Sequence, residues 1–582
     1  MKRLGLLILH LMAFGLGGPP TSTAQHSARQ TTTELADAYL AALFNYSPIT
    51  ATYYGIPGAR HDQLDDNSLS AVHTWQLRLD SIRRALGKVD TIALAATPER
   101  ITYALLREVL DGERATRICH TELWPVNQGS GWQATLTDLA AIQPVGSDSL
   151  RRAALTRAHA IAAYLTTEMS NLREGIRRGY TTPKPAAARV LTQVDALLQV
   201  PPENNPFMDP ARRDSTAGFR DSMVSVVANE IYPAMRAYRR FLSDEYLLKA
   251  RTSLGVSVLP EGRRCYSGMI RAATSLSWTG EEMHRRGLQR ASELEQEMTR
   301  IASSAFHTDD LGELFRRFHT DTTFLFHSAP EIMDTVQAAI ARAQAAAPRW
   351  FGRRPVTRVV AEPVPAFKGG DVSAYYDPAP EDRSRPAVYR VQLHDAQHQR
   401  RGEVLATVFH ETIPGHHLQI ALAQELPIAH PLAKYVGTGA FTEGWAKYAE
   451  TIADSMGLYG SPAAGLEMLH AQIPSGMVID PAIHLLGWSR QRAINFMVRK
   501  FQDDTAFAAM YVDRMSVWPA QATMYGTGNL FIRQLRQDAA ARLGRRFDIR
   551  AFHDAVLRNG AVPLTALEAE IDRWVKSTLA RH

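Results

Sequence analysis

Three imidazoles and a carboxylate crowd into Phe409-His410-Glu411-Thr412-Ile413-Pro414-Gly415-His416-His417-Leu418-Gln419, a stretch framed by apolar residues. Polar groups at that density are costly to bury unless something is bound among them, and their types point to a metal. In the simple His-Glu-x-x-His pattern, two imidazoles one helical turn apart hold zinc and the Glu between them acts as general base. This chain departs from it, because Pro414 stands four residues after His410. On a regular helix the path from His410 to His416 rises about 9 Å and turns about 600°, which carries the second ring off the shared face. Pro414 has no amide hydrogen and Gly415 accepts backbone angles closed to other residues, so the pair can bulge the turn and return His416 to His410. His417 keeps to the His410 face of an undistorted helix but about 10 Å away, which makes it the second choice. The expectation is that His410 and His416 bind the ion and Glu411 serves as base. The alternative is a kinked core helix whose histidines bond to neighbours.

A catalytic zinc site of this type takes its third ligand from a following helix and keeps one position open. Phe441-Thr442-Glu443-Gly444-Trp445-Ala446-Lys447-Tyr448-Ala449-Glu450 can supply it. Glu443 is read as opening that helix, Gly444 as allowing close packing, and Trp445, Tyr448 and Ile452 as a buried face. Glu450, two turns further on, can hold an imidazole N–H or be a solvated helical residue.

These segments resemble known families. Glu-Gly-Trp-Ala-x-Tyr-x-Glu is similar to the Glu-Gly-Phe-Ala-x-Tyr-x-Glu segment of aminopeptidase-N-type zinc enzymes. His-Glu-x-x-Pro-Gly-His-His-Leu-Gln followed by Glu-Gly-Trp-Ala resembles the bacterial family called domain of unknown function 885, over most of the chain. That family is regarded as related to zinc carboxypeptidases and oligopeptidases. The resemblance implies a mainly α, gluzincin-like (zincin-like) metallopeptidase fold, with Glu443 as third zinc ligand. Asp480-Pro481-Ala482-Ile483-His484 is similar to a family motif that more often reads Asp-Thr-Gly-Ile-His, and Pro519 to Gly528 to one containing Gln-Ala-x-x-Tyr-x-x-Gly. His484 and Tyr525 are thereby expected near the metal as donors to a developing oxyanion, although His484 could equally be a core residue. Ser47 to Gly55 is similar to a motif near the family's mature N-terminus; without that likeness it reads as an inter-helix loop.

The expected reaction is hydrolysis of a peptide or other small amide, with Zn²⁺ held by His410, His416 and Glu443 and Glu411 taking the proton of the attacking water. Two imidazoles and a carboxylate also suit non-haem iron, whose oxygen chemistry leaves Glu411 without a task. The opposing readings are a zinc hydrolase of a non-peptide amide or ester and a non-catalytic helical protein with a structural metal, in which His417 closes the fourth position. Arg533 and Arg536, one helical turn apart, could receive a substrate carboxylate or be solvated.

The elements that must position these groups are mostly helices. Residues 1–24 carry Lys2 and Arg3, a short apolar run and a small-x-small end, the pattern of a secretory signal peptide; the mature chain is expected to be periplasmic or secreted. No Cys stands at the cleavage point, so a lipid anchor is not expected, and no later stretch is long enough to cross a bilayer. Residues 25–254 read as a helical region with turns at Pro183 to Pro185 and Pro201 to Pro206, and 255–582 as the metal-binding region. Ser277–Ala305 and Leu311–Ala347 read as long helical stretches. Thr357–Ala361 and Ala387–Leu393 are the strand candidates, a small sheet on which extended substrate could be laid. The charge of +6 is scattered and gives no nucleic-acid patch. Cys119 and Cys265 could pair in an exported protein or stay as buried thiols.

Overall fold

A computed structural model describes residues 22–364, 373–379 and 385–581. Most of the leader assigned to 1–24 lies outside the described residues, as do Arg383 and Ser384. The chain is mainly α. Helix α1 (Ser22–Tyr46) is followed by a short helix at Pro48–Tyr53, where the sequence alone gave a loop. Side-chain chemistry makes that helix: Ser47 accepts from the Thr50 amide, Pro48 takes the first helical position, and Asp65 receives the Ser47 hydroxyl and the Ile49 amide.

Helix α2 (Asp148–Arg178) is capped by Ser147 and ends at Gly179, whose φ of 82° suits the left-handed turn. It belongs to an apolar core drawn from residues 126–250, with Tyr238, Tyr246 and Phe241 fully buried. Helix α3 (Gly262–Thr274) carries Cys265, which is disulfide-bonded to Cys119. Arg271 on α3 pairs with Glu108, and Arg100 pairs with Glu570, so covalent and ionic ties join the two regions of the chain.

Helix α4 (Gly280–Phe306) matches the long helical reading. The stretch from Leu311 to Ala347 instead splits into Leu311–Thr320 and Ala329–Ala346. Between them Asp321 turns the chain by accepting from Thr323, Leu325 bridges to Arg400, and Ser328 caps the second helix. A three-stranded sheet follows: β1 (Val359–Pro363) and β2 (Tyr375–Asp377) flank β3 (Ala387–Val391). β1 runs parallel to β3 with Val359 opposite Ala387, and β2 antiparallel with Tyr376 opposite Tyr389.

The chain then passes through α5 (Arg401–Glu411), α6 (His416–Glu425), α7 (Gly439–Ser455), α8 (Pro462–Ala471), α9 (Ser475–His484), α10 (Thr505–Val517) and α11 (Thr523–Leu543). Helices α7 and α11 touch backbone to backbone: a Cβ on Gly444 would fall 2.4 Å from Gly528. Phe409, Phe441, Trp445 and Tyr448 from this group enter the largest apolar core of the molecule, beside the β3 residue Tyr389. The helices that carry His410 and Glu443 are therefore held rigidly from behind.

Candidate metal centre

The link between His410 and His416 is a break between two helices rather than a bulge within one. α5 ends at Glu411, Thr412 leaves the helical region with φ −109° and ψ −118°, and α6 begins at His416. The Ile413–Pro414 peptide is cis. Trp445 Nε1 donates to the Pro414 carbonyl at 3.0 Å and pins the turn to α7. Only glycine fits at 415, since a Cβ there would fall 1.8 Å from the His410 carbonyl oxygen. The turn brings the two rings to a centroid separation of 4.8 Å, nearly perpendicular.

Both Nε2 atoms stand 3.7 Å from the same Glu443 oxygen. One ligand atom from each of the three residues lies within 4.8 Å of the others, the one such cluster of His, Cys, Asp or Glu among the described residues. Ligand atoms about 2.1 Å from a tetrahedral ion stand about 3.4 Å apart, so these residues fit zinc. The observed spacings are also too long for hydrogen bonds. Glu443 sits one turn inside α7, which begins at Gly439, rather than at its start.

A relay of buried groups stands behind His410. Its Nδ1 lies 2.8 Å from Glu450 Oε1; the other Glu450 oxygen accepts from Lys447 Nζ at 2.8 Å and Gln472 Nε2 at 2.6 Å. Gln472 in turn accepts from Asn529 Nδ2 at 2.7 Å. Burial works against the Glu450 charge, but Lys447 and His410 outweigh it and hold the carboxyl below its usual range. Burial also opposes the charged His410 ring, and Glu443 and Glu450 outweigh it, raising the imidazole to about 10. Glu443 is lowered despite its burial by the two rings it faces.

His410 is the member of the cluster that lines a cavity of about 520 Å³, whose walls also include Glu411, Tyr511, Arg514 and Tyr525. Burial pushes the Glu411 carboxyl up, partly countered by His410 and His416. Tyr525 lies nearly parallel to the His410 ring, with 6.5 Å between centroids. Its hydroxyl accepts from Arg514 at 3.3 Å and Gln521 at 3.5 Å, which leaves the phenolic hydrogen to be donated elsewhere. Ser373 and Ala374, just ahead of β2, form another part of the wall.

Residues 48–571 match the model of a family described as "Bacterial protein of unknown function (DUF885)". The chain belongs to that family. No curated protein matches this DUF885 chain. Among solved structures it is similar to the "putative lipoprotein from Colwellia psychrerythraea", at 23% identity and a TM-score of 0.86, over 95% of this chain and 99% of that one. A second is the "putative lipoprotein of unknown function from Shewanella oneidensis", at 18% identity and a TM-score of 0.75, over 92% of this chain and 99% of that one. At these identities the likeness is one of fold.

Within the DUF885 chain the other site candidates from the sequence separate. His484 is not at the cavity. It is fully buried at the end of α9, its Nδ1 accepts from the Val256 amide at 3.1 Å, and its Nε2 donates to the Met515 carbonyl at 3.0 Å. Burial drives its imidazole down to about 3, so it is a neutral tie between three segments and no oxyanion donor. Asp480 of the same motif accepts from Tyr266 and the Ala520 amide, again inside the core. His417 is also withdrawn: its ring contacts the Tyr376 hydroxyl and the Thr357 carbonyl, each at 3.1 Å, and ties α6 to the sheet. Arg533 and Arg536 do not line the cavity, and Arg536 leans on Tyr448 instead.

Sequence reasoning passed over Gln472, Asn529 and Arg514, and met Gln521 only as the first residue of the Gln-Ala-x-x-Tyr-x-x-Gly likeness, without a role. Gln472 and Asn529 are buried amides whose partners lie 22 and 57 residues away along the chain. No spacing rule reaches them. Arg514 follows Asp513 on α10, and nothing in that local pattern set it apart.

Proposed function

We propose that this DUF885 chain is an exported zinc-dependent metallopeptidase, resembling carboxypeptidases and oligopeptidases in a zincin-like site. The observation that carries this reading is the setting of Glu411: a half-buried carboxylate on the cavity wall, next in sequence to His410 and beside the His410, His416, Glu443 cluster. Those three residues would hold Zn²⁺, which when bound polarises a scissile carbonyl and eases removal of a proton from water. Glu411 takes that proton as the water oxygen attacks the carbonyl carbon, and returns it to the leaving amine as the C–N bond breaks. Tyr525 donates its phenolic hydrogen to the developing oxyanion without adding charge, and Arg514 and Gln521 fix its direction. An extended substrate can reach the site along β2, an edge strand preceded by the wall residues Ser373 and Ala374. The Cys119–Cys265 disulfide suits an oxidising compartment, and the lipoprotein descriptions of the two structural relatives agree with the cell envelope.

The test is zinc content and cleavage of a mixed peptide library, followed by mass spectrometry, for the mature protein and Glu411→Gln. The expected result is about one zinc in both and a loss of cleavage of at least about 100-fold in the variant. Zinc in both with no cleavage by either overturns the peptidase reading.

A further inference from the structure

The far end of the same cavity is lined by groups that the hydrolytic reading does not use. Glu403, Glu467, Asp503 and Asp504 stand there with a single guanidinium, Arg400, and with His319 and His470. Arg400 Nη2 is already paired with Glu403 at 2.7 Å, and its Nε is 3.6 Å from Glu467 Oε1. Burial lowers both imidazoles, His470 to about 4, so neither adds a positive charge near neutral pH. His398, also on the wall, is turned to Asp395 at 2.6 Å. Four carboxylates thus face one guanidinium.

Two of these carboxylates are short of the partners that buried charge demands. Glu467 has a side chain only 3% exposed; the Gly402 and Glu403 amides at the start of α5 serve one side of its carboxylate, and its Oε1 receives no hydrogen bond. Asp503 has a side chain 10% exposed, and His470 Nε2 stands 3.7 Å from its Oδ1 with its hydrogen bond directed to the Phe501 carbonyl. Burial raises both carboxyls to about 7, with Arg400 countering, as expected where the chain itself supplies too little positive charge. A neutral ligand would leave that deficit in place. A cation would remove it.

The floor between this end and the metal cluster is one face of α5: Glu403, Ala406, Thr407 and His410 all line the cavity at three- and four-residue steps. At 1.5 Å per residue, Glu403 stands about 10 Å along the helix from His410. That span is about three residues of extended peptide.

We propose that this end of the cavity is a subsite for a cationic group of the substrate, an ammonium or guanidinium, held by Asp503 and Glu467. The molecule bearing the cation rests on the peptidase reading; the charge preference does not. The same chemistry is offered by a lysine or arginine side chain and by a peptide's free amino terminus.

Equilibrium binding to the full zinc-loaded chain separates the cases. The probes are arginine amide, N-acetyl-arginine amide, norleucine amide and N-acetyl-norleucine amide. Arginine amide is expected to bind at least about tenfold more tightly than the uncharged N-acetyl-norleucine amide, the usual worth of a hydrogen bond to a charged group. Asp503→Asn and Asp503→Ala are expected to erase that advantage and Asp503→Glu to retain much of it. Asp503 is preferred for substitution because no hydrogen bond of the fold depends on its carboxylate. An advantage kept by N-acetyl-arginine amide identifies the side chain as the source; one kept by norleucine amide identifies the amino terminus. Equal binding of charged and uncharged probes, no binding of any, or an advantage that survives Asp503→Ala overturns the subsite. Since binding is read without turnover, charge-selective binding by a protein that cleaves no peptide would remove the peptidase reading alone. Cleavage indifferent to charge would remove the subsite alone.

Discussion

His410 and Glu450 are joined at 2.8 Å between Nδ1 and Oε1, so the imidazole presents its other nitrogen, Nε2, to Glu443. An ionised carboxylate only accepts, so a hydrogen stays on Nδ1, and the nitrogen that gives up its proton to a bound ion is Nε2. Glu450→Ala should therefore lower zinc affinity by about 10- to 100-fold, measured by competition with a chromophoric chelator. Gln472→Ala, one bond further back, should give a smaller loss. Unchanged affinity in both variants would show that the relay does not orient the ring.

The turn between α5 and α6 makes a second prediction. Gly415→Ala places a methyl group where the His410 carbonyl already stands. Either the turn opens and His416 leaves the cluster, or the core yields. Zinc binding should be lost together with a fall in melting temperature, read by metal analysis and calorimetry on one sample.

Tyr525 and His484 should part company in kinetics. Tyr525→Phe removes a hydroxyl that faces the cavity and should reduce kcat by about 10²- to 10³-fold with zinc retained, the cost of losing one oxyanion donor. His484→Gln breaks ties to Val256 and Met515 in the core and should lower stability. A His484→Gln protein that melts normally but has lost kcat would contradict its assignment as a core residue.

The disulfide closes a loop with a sequence separation of 146 between Cys119 and Cys265. In the chain-entropy account, a loop of that size stabilises the fold by up to about 5 kcal/mol. Cys119→Ser, or reduction of the native protein, should lower the melting temperature by several degrees. No change on reduction would count against the bond.

A pH dependence follows from Glu168, which is buried on α2 and accepts from the Tyr238 hydroxyl at 2.9 Å. Burial pushes its carboxyl up to about 7. The folded state then binds more protons than the unfolded chain between about pH 4.5 and 7, so this group makes stability fall as pH rises through that window. The contribution is on the order of 2–3 kcal/mol at most. Glu168→Gln should flatten the fall in denaturation midpoint between pH 5 and about 8. A slope identical to that of the unaltered protein would exclude Glu168 as a source.

The sequence by itself determined the helical class and the strands at β1 and β3, and it picked out His410, His416 and Glu443, which the fold brings together. Those features follow from local rules: apolar periodicity, and the distortion that Pro-Gly imposes between two imidazoles. Nearby spacing also anticipated Glu450, two turns along α7 from Glu443. Tertiary structure alone decided which imidazoles join the cluster with Glu443. His484 and His417 carry the same ring as His416, yet backbone groups from Val256, Met515 and Thr357 consume their nitrogens, and those groups are distant in sequence. It also joined Gln472 and Asn529 into the relay behind His410 and gathered Asp503 and Glu467 at the start of α5. Burial and hydrogen-bond satisfaction depend on which segments meet, and that is set by packing of the whole chain.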